Sequence, residues 1–419
     1  MFLKSIRLTA FKCHESLVMD FSPDSEETRR VRKTTFLVGE TGTGKSALLQ
    51  AIAIVTGGSE VLRALPGLPD DYIQLRKRFA LLEATVLNAE GEELEIAVRL
   101  VRGQSLEDML AKNKDSLALI DALLHDPDQN YFTAGYGSGR KSDTSGKRVR
   151  QTSAAYSAIS SLFGMDGLRG ALLNGKDIGN MPALKQALNK VLPPEVRVKG
   201  ADRNSGQLLF STPDGTLPLD MLSRGYQQMV AWLSNLLYEI SRRSTAKNPL
   251  AAQGLLLIAE IDLHLHPAWQ RLIPSILKES LPNFQIIATS YSPHIAQQAG
   301  PGELYALHRD EGGKVELLPF HGDPSRMLLH QLLMSPMFGL ETDESLKVER
   351  AKAAVRAAAI SGIPAAAEKL SGRSITESVL KDLPDIVNTR SNSGAAAEDL
   401  SLLQAINQSL QSGKKGRSK

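Results

Sequence analysis

"LVGETGTGKSALLQ", residues 37–50, is the stretch on which the reading of this chain turns. The apolar run "TTFLVG" predicts a buried strand ending at Gly39. "SALLQAIAIVTGG" predicts a helix stopped by Gly57 and Gly58. Between them "GETGTGKS", Gly39 to Ser46, fits G-x-x-x-x-G-K-[ST], and strand–loop–helix is the context that pattern requires. Glycines let backbone N–H groups curl around an anion, and the helix N-terminus adds positive partial charge. Gly39, Glu40, Thr41, Gly42, Thr43, Gly44, Lys45 and Ser46 are therefore candidate ATP-binding residues. Lys45 would reach the β and γ phosphates, and Ser46 would offer its hydroxyl to Mg²⁺.

Upstream, "FLKSIRLTAF" and "ESLVMDF" read as strands. Downstream, "FALLEATVLNAEGEELEIAVRLV" and "ELYALHRDEGGKVELLPF" read as hairpins, and "GQLLFSTPDGTLPL" as strand-like runs around a Pro-Asp-Gly turn. "AAYSAISSLFG", "MPALKQALNKVL" and "RGYQQMVAWLSNLLYEISRR" have helical patterns, with Trp232 and Trp269 on helical runs as core or interface residues. "GLLLIAE" and "FQIIATS" are strands flanking the helix "AWQRLIPSILKESL". Strand, helix, strand implies an α/β sheet with crossovers.

The 419 residues, 42% of them hydrophobic, suffice for more than one domain. A net charge of +3 leaves any nucleic-acid contact to local patches. One cysteine, Cys13, excludes an internal disulfide framework and fits a reducing compartment. With no signal-peptide pattern and no membrane-length apolar run, the expectation is a soluble cytoplasmic protein without membrane contact. "GYGSGRKSDTSGKRVR", residues 135–150, carries five Lys or Arg against one Asp. It reads as a flexible, solvated basic loop, with nucleic-acid contact as the alternative; Arg140 is there.

"LSRGYQQ" (222–228), then "GLLLIAE" ending at Glu260, then "LHLHP" and "IIATSYSP", follow the phosphate loop in an order that resembles the ABC-type ATPases of the SMC/RecF class. The resemblance spans roughly residues 1–325. It implies a two-lobed P-loop ATPase head, a mixed sheet flanked by helices, with ATP and Mg²⁺ as cofactors. It also implies that Ser223 and Gly225 contact the γ phosphate of nucleotide held by a second copy, and that Glu260 is the catalytic carboxylate. "LTAFKCHESLVMDF" resembles the family's strand–turn–strand over the nucleotide, so Lys12 is expected to help hold ATP. Gln74 is a tentative metal-sensing glutamine, with Gln151 the alternative. The absence of sustained heptads argues against a coiled-coil arm. "AGYGSGR", "LSRGYQQ" and "LHLHPAWQ" resemble in particular the compact ATPases of anti-phage systems, the PtuA ATPases of Septu systems and those paired with retrons.

Two positions depart from the family pattern. Ala259 stands where the resemblance calls for the Mg²⁺-holding aspartate, and Tyr291 stands at the switch histidine, with His294 three residues on. Ala259 is either an Asp→Ala lesion in an intact site or part of a natural divergence, which Tyr291 favours. Both predict ATP binding with weak hydrolysis. Asp262, His264 and His266 alternate, so a metal-ligating strand is weighed against the family's turn after the glutamate.

The expected organisation is an ATPase head over 1–325, a helical partner-docking region over 326–412 and a basic disordered tail over 413–419. The function expected is an ATP-binding ATPase that assembles as ATP-sandwiched dimers, open to a higher homo-oligomer, and regulates a separately encoded effector nuclease in anti-phage defence. The alternatives are a RecF-like repair ATPase clamping DNA and a scaffold keeping nucleotide permanently. No nuclease-type acidic cluster follows residue 270, so the cleavage chemistry is expected on another chain.

Overall fold

The computed structural model describes residues 1–23, 31–126, 131–138, 159–164, 182–192, 194–202, 208–243, 249–340, 342 and 345–350. One compact unit spans Met1–Glu341. Of the second, Thr342–Lys419, the described part is Thr342 and 345–350, with residues 346–350 helical. Most of the 326–412 region and all of the 413–419 tail lie outside the described residues.

The helices are α1 (Lys45–Thr56), α2 (Gly58–Arg63), α3 (Leu106–Lys112), α4 (Lys114–His125), α5 (Pro182–Val191), α6 (Arg224–Arg243), α7 (Pro267–Ser280), α8 (Pro293–Ala296) and α9 (Leu329–Leu333). Strands β1 (Phe2–Phe11), β2 (His14–Asp20), β4 (Phe79–Leu87) and β5 (Glu93–Val101) form an antiparallel sheet in the order β2-β1-β4-β5. A second sheet runs β13-β12-β3-β11-β10-β6. It comprises β3 (Thr34–Gly39), β6 (Tyr131–Tyr136), β10 (Gln253–Ile258), β11 (Phe284–Thr289), β12 (Leu304–Arg309) and β13 (Val315–Pro319). Its pairings are parallel except for the β12–β13 hairpin. A small antiparallel sheet joins β7 (Arg197–Ala201), β8 (Leu208–Thr212) and β9 (Gly215–Pro218). The expected α/β class, with a mixed sheet flanked by helices, is what the chain adopts. Among the described residues there is no long coiled coil.

α1 lies between the first two sheets and touches strands of both. A helix so placed must be apolar nearly all round. Ala47, Leu48, Leu49, Ala51, Ile52, Ala53, Ile54 and Val55 are all buried. Each large side chain buried there contributes about 1.5–3 kcal/mol. β10 serves two cores by simple alternation. Leu255, Leu257 and Ala259 join the cluster around α1, while Leu256 and Ile258 join Val230, Leu233 and Ile286 on the opposite face. A parallel strand covered on both faces reads as a continuous apolar run, which is why "GLLLI" and "FQIIAT" are legible as strands.

Two readings need correcting. The basic stretch 135–150 does not begin as a loop: Gly135 and Tyr136 belong to β6, paired in parallel with β10, Ile258 opposite Tyr136. The glycines that suggested a loop are required by close packing. A Cβ on Gly135 would stand 2.2 Å from Leu162 Cδ1, and one on Gly137 would stand 2.0 Å from the Ser161 carbonyl oxygen. Residues 139–158, with Arg140 and Gln151, lie outside the described residues. In "AAYSAISSLFG" the described part is a short 3₁₀ turn, Ser160–Phe163, rather than an α-helix.

Candidate nucleotide site

The carboxyl ends of β3, β11 and β10 lie side by side, and in parallel sheets such ends are where ligands sit. β3 terminates at Gly39, φ 134°, where an added Cβ would lie 2.2 Å from the Leu307 carbonyl oxygen. No side chain fits between β3 and β12 there. Gly42 (φ 83°) and Gly44 (φ 88°) take left-handed conformations that suit glycine. Gly44 is the N-cap of α1 and makes no side-chain cap, so no side chain competes for the first amides of the helix.

The loop's carbonyls are held from outside. His14 is fully buried, and its Nε2 lies 3.0 Å from the Gly44 carbonyl oxygen. Burial pushes the His14 imidazole below its ordinary pKa, which keeps it neutral, with Nε2–H the donor to that carbonyl. At the end of β12, Arg309 donates from Nη2 to the Gly42 carbonyl at 2.8 Å and from Nη1 to that of Gly313 at 2.6 Å. A Cβ on Gly44 would stand 2.4 Å from Cys13 Sγ and 2.6 Å from His14 Nε2. The β1–β2 turn is thus the floor on which the loop rests.

Lys45, only 4% exposed, folds back. Its Nζ donates to the carbonyls of Gly39 (2.6 Å) and Glu40 (2.8 Å) and lies 4.0 Å from the centre of the Tyr291 ring. Burial lowers its pKa to about 8, opposed by the negative charges of Glu260, Asp262 and Glu40. Ser46 is exposed beside it.

Ala259 closes the β10 ladder, its N–H donating to the Tyr136 carbonyl at 2.7 Å. Its side chain is buried in the apolar cluster around α1. Glu260 follows in a left-handed conformation, φ 49°, and its N–H donates to Thr289 Oγ1 at 2.9 Å. Such a backbone is rare for a residue with a side chain and marks a constrained turn. Asp262 Oδ1 accepts from Ser290 Oγ at 2.6 Å and from the Tyr291 N–H at 3.4 Å, so the acidic turn anchors the loop that carries Tyr291. Hydrogen bonds from Leu263 N–H to the Glu260 carbonyl and from Leu265 N–H to that of Asp262 coil "EIDLHL" into turns, with His264 at φ 62°. The alternation of Asp262, His264 and His266 is therefore not that of a strand. His266 Nδ1 instead accepts from the Ala268 N–H at 3.3 Å and caps α7. Among the described residues no three His, Cys, Asp or Glu side chains are grouped to hold a metal ion.

Ser223 is exposed immediately before α6, its carbonyl accepting from the Gln227 N–H at 2.9 Å. The start of α6 is braced by Gln227 Nε2, which donates to the carbonyls of Asp220 (2.9 Å) and Leu222 (2.7 Å). Gly225 faces the turn after Glu260, where a Cβ would lie 2.6 Å from the His264 carbonyl oxygen.

Other candidates make contacts of their own. Lys12 Nζ donates to Gln50 Oε1 at 2.5 Å and lies 4.8 Å from the Tyr72 ring centre, so its ammonium is engaged along the flank of α1. The Gln74 N–H donates to the Ala10 carbonyl and its own carbonyl accepts from Arg102. Its Oε1 is buried without a partner, and none of these contacts runs to Ser46. His294 is the second residue of α8, its N–H donating to Ser292 Oγ. Trp232 is core, 5.6 Å from the Tyr136 ring centre, and Trp269 is partly buried against the same cluster. His14 and Arg309 were not legible as loop supports, because both act through contacts distant in sequence. Arg309 had one faint signal, its place at the end of a strand leading toward the site.

The left-handed glycines, the uncapped start of α1 and the buried ammonium fit a nucleotide triphosphate. For a hydrated Mg²⁺ the donor set is shorter: Ser46 and Glu260 are present, and position 259 supplies no carboxylate.

A family model described as "AAA domain, putative AbiEii toxin, Type IV TA system" matches residues 111–296. The chain is 36% identical over 128 residues to the Septu protein PtuA of Bacillus thuringiensis, covering 30% of this chain and 32% of that protein. It is 26% identical over 349 residues to PtuA of Bacillus mycoides, covering 81% and 45%. Against the Retron Ec83 probable ATPase of Escherichia coli the identity is 36% over 105 residues, 24% of this chain and 19% of that protein. The chain thus spans less than half the length of these curated relatives. Among solved structures, an SMC head bound to the C-winged helix domain of ScpA aligns with a TM-score of 0.48 at 16% identity, over 77% of this chain and 98% of that one. By sequence, the chain is similar to Septu PtuA proteins and to a retron ATPase, the narrower resemblance its motifs implied.

Proposed function

We propose that this chain binds ATP through residues 39–46 and dimerises around it, each copy's Ser223 and Gly225 closing over nucleotide held by Lys45 of the other. The assembly, as a dimer or a larger homo-oligomer, regulates a separately encoded effector nuclease in anti-phage defence, and the 326–412 region is the docking platform for that partner. The observation that carries the reading is the exposed Ser223 at the start of a 20-residue helix, braced against the turn that follows Glu260. A helix start of this kind attracts phosphate, and exposure leaves it accessible to a second copy. Kinship with PtuA and retron ATPases supports the defence role.

Hydrolysis is proposed to be weak. Glu260 remains to polarise water, with Ser46 as a protein donor to Mg²⁺, and the carboxylate that would order the cation's water shell is missing. Sedimentation velocity with and without ATP·Mg²⁺ tests the assembly, and affinity purification from the native host tests the partner. ATP-dependent doubling of mass and a nuclease at fixed stoichiometry are expected. A chain that stays monomeric with ATP and binds duplex DNA with a steep salt dependence would replace this reading by the DNA clamp.

A further inference from the structure

An ammonium group has three N–H donors, and Lys45 makes three contacts. Two hydrogen bonds go to the Gly39 and Glu40 carbonyls, and the Tyr291 ring covers the group at 4.0 Å. A phosphate that is to bind Lys45 must displace one of these. Gly39 ends β3 in register with Leu307 of β12, and the Glu40 carbonyl, one residue on, also accepts from the Thr43 N–H and hydroxyl, so both are held by the main chain around them. The ring belongs to a residue 41% exposed, so it has open space to turn into. Its backbone is pinned, since the Tyr291 N–H and the Ser290 hydroxyl both reach Asp262 Oδ1. Side-chain rotation about χ1 therefore frees Lys45 without moving the main chain, and it is the least costly of the three displacements.

We propose that Tyr291 is a gate on Lys45, its ring standing on the ammonium where a terminal phosphate of the nucleotide binds and yielding only to a ligand that outcompetes it. This rests on the nucleotide reading of the site. A cation–π contact of this kind is worth a few-fold to about thirtyfold in an equilibrium constant. Tyr291 then lowers affinity for every phosphate ligand that must take its place on Lys45.

The test is calorimetric titration of the full chain with ATP and with ADP, in its native form and as Tyr291→Ala, Tyr291→Phe, Lys45→Ala and the double variant Tyr291→Ala/Lys45→Ala. Tyr291→Ala is expected to tighten ATP binding by about threefold to thirtyfold and ADP binding by a similar factor at most. Tyr291→Phe, which keeps the ring, should match the native chain. In the Lys45→Ala background the gain should vanish. Unchanged or weaker binding by Tyr291→Ala, or a gain that survives Lys45→Ala, overturns the gate. Native and Tyr291→Ala chains that both fail to bind either nucleotide overturn the nucleotide reading and the gate together. Native binding that depends on Lys45, with no gain in Tyr291→Ala, overturns the gate alone.

Discussion

Gly225 lies so close to the carbonyl oxygen of His264 that a methyl group on it would stand 2.6 Å away. The start of α6 and the turn after Glu260 are thereby in direct backbone contact within one chain. Gly225→Ala must push the two apart, at about 1–3 kcal/mol for an overpacked contact. The predicted outcome is a folded chain with modestly lowered thermal stability, unchanged ATP affinity as a monomer and impaired ATP-dependent dimerisation. Sedimentation velocity combined with calorimetry checks all three.

Restoring a carboxylate at position 259 separates the two accounts of Ala259. The alanine side chain sits in the apolar cluster around α1, so an aspartate in its place is a poorly solvated charge unless a cation is bound. Ala259→Asp is predicted to cost roughly 1–3 kcal/mol of stability in the absence of nucleotide. With ATP·Mg²⁺ much of that loss should be recovered, and phosphate release should rise by about tenfold or more. Turnover that stays at the level of the Ala259 chain would place the chain among naturally diverged sites.

Asp262 anchors the Tyr291 loop through Ser290 Oγ at 2.6 Å. Asp262→Ala leaves that hydroxyl without its acceptor and should cost about 1–2 kcal/mol. Asp262→Asn keeps an acceptor oxygen and should cost less. Denaturant unfolding of the two variants gives the comparison, and equal losses would show that the hydrogen bond is not the anchor.

His14 holds the Gly44 carbonyl from a fully buried position. His14→Ala removes the donor and opens a cavity beneath the loop. A loss of about 2–4 kcal/mol in stability is expected, together with at least a few-fold weaker ATP binding. Arg309→Ala, at an exposed site on the other side of the loop, should weaken ATP binding with a smaller stability change. Calorimetry on both variants checks the contrast.

What was readable in the sequence was readable for local reasons. β3, β10 and β11 are continuous apolar runs because both faces of a central parallel strand are covered. Both hairpins alternate, and Gly39, Gly42, Gly44 and Lys45 carry a spacing with its own geometry. Position 259 showed its departure directly, since one residue type is missing from a strand end. β6 was hidden because Gly135 and Gly137 imitate a loop while serving close contact with Ser161 and Leu162. "DLHLHP" suggested a strand because alternation in sequence is blind to the left-handed backbone of Glu260 and His264. Lys12 and Gln74 were placed by resemblance, and their contacts depend on the packing of α1 and of neighbouring turns, which no local pattern reports. The support given by His14 and Arg309, and the ring of Tyr291 over Lys45, are likewise contacts between residues far apart in the chain.

The composite site is tested most directly by mixing two defective chains. Lys45→Ala removes the phosphate grip and Ser223→Arg blocks the closing surface, so neither variant alone should dimerise with ATP. Mixed in equal amounts they regenerate one complete site, in which Lys45 from the Ser223→Arg chain faces Ser223 from the Lys45→Ala chain. Analytical ultracentrifugation of differently labelled chains is predicted to show an ATP-dependent heterodimer in the mixture alone. No heterodimer in the mixture, under conditions in which the native chain dimerises with ATP, would contradict the sharing of nucleotide between Lys45 of one copy and Ser223 of the other.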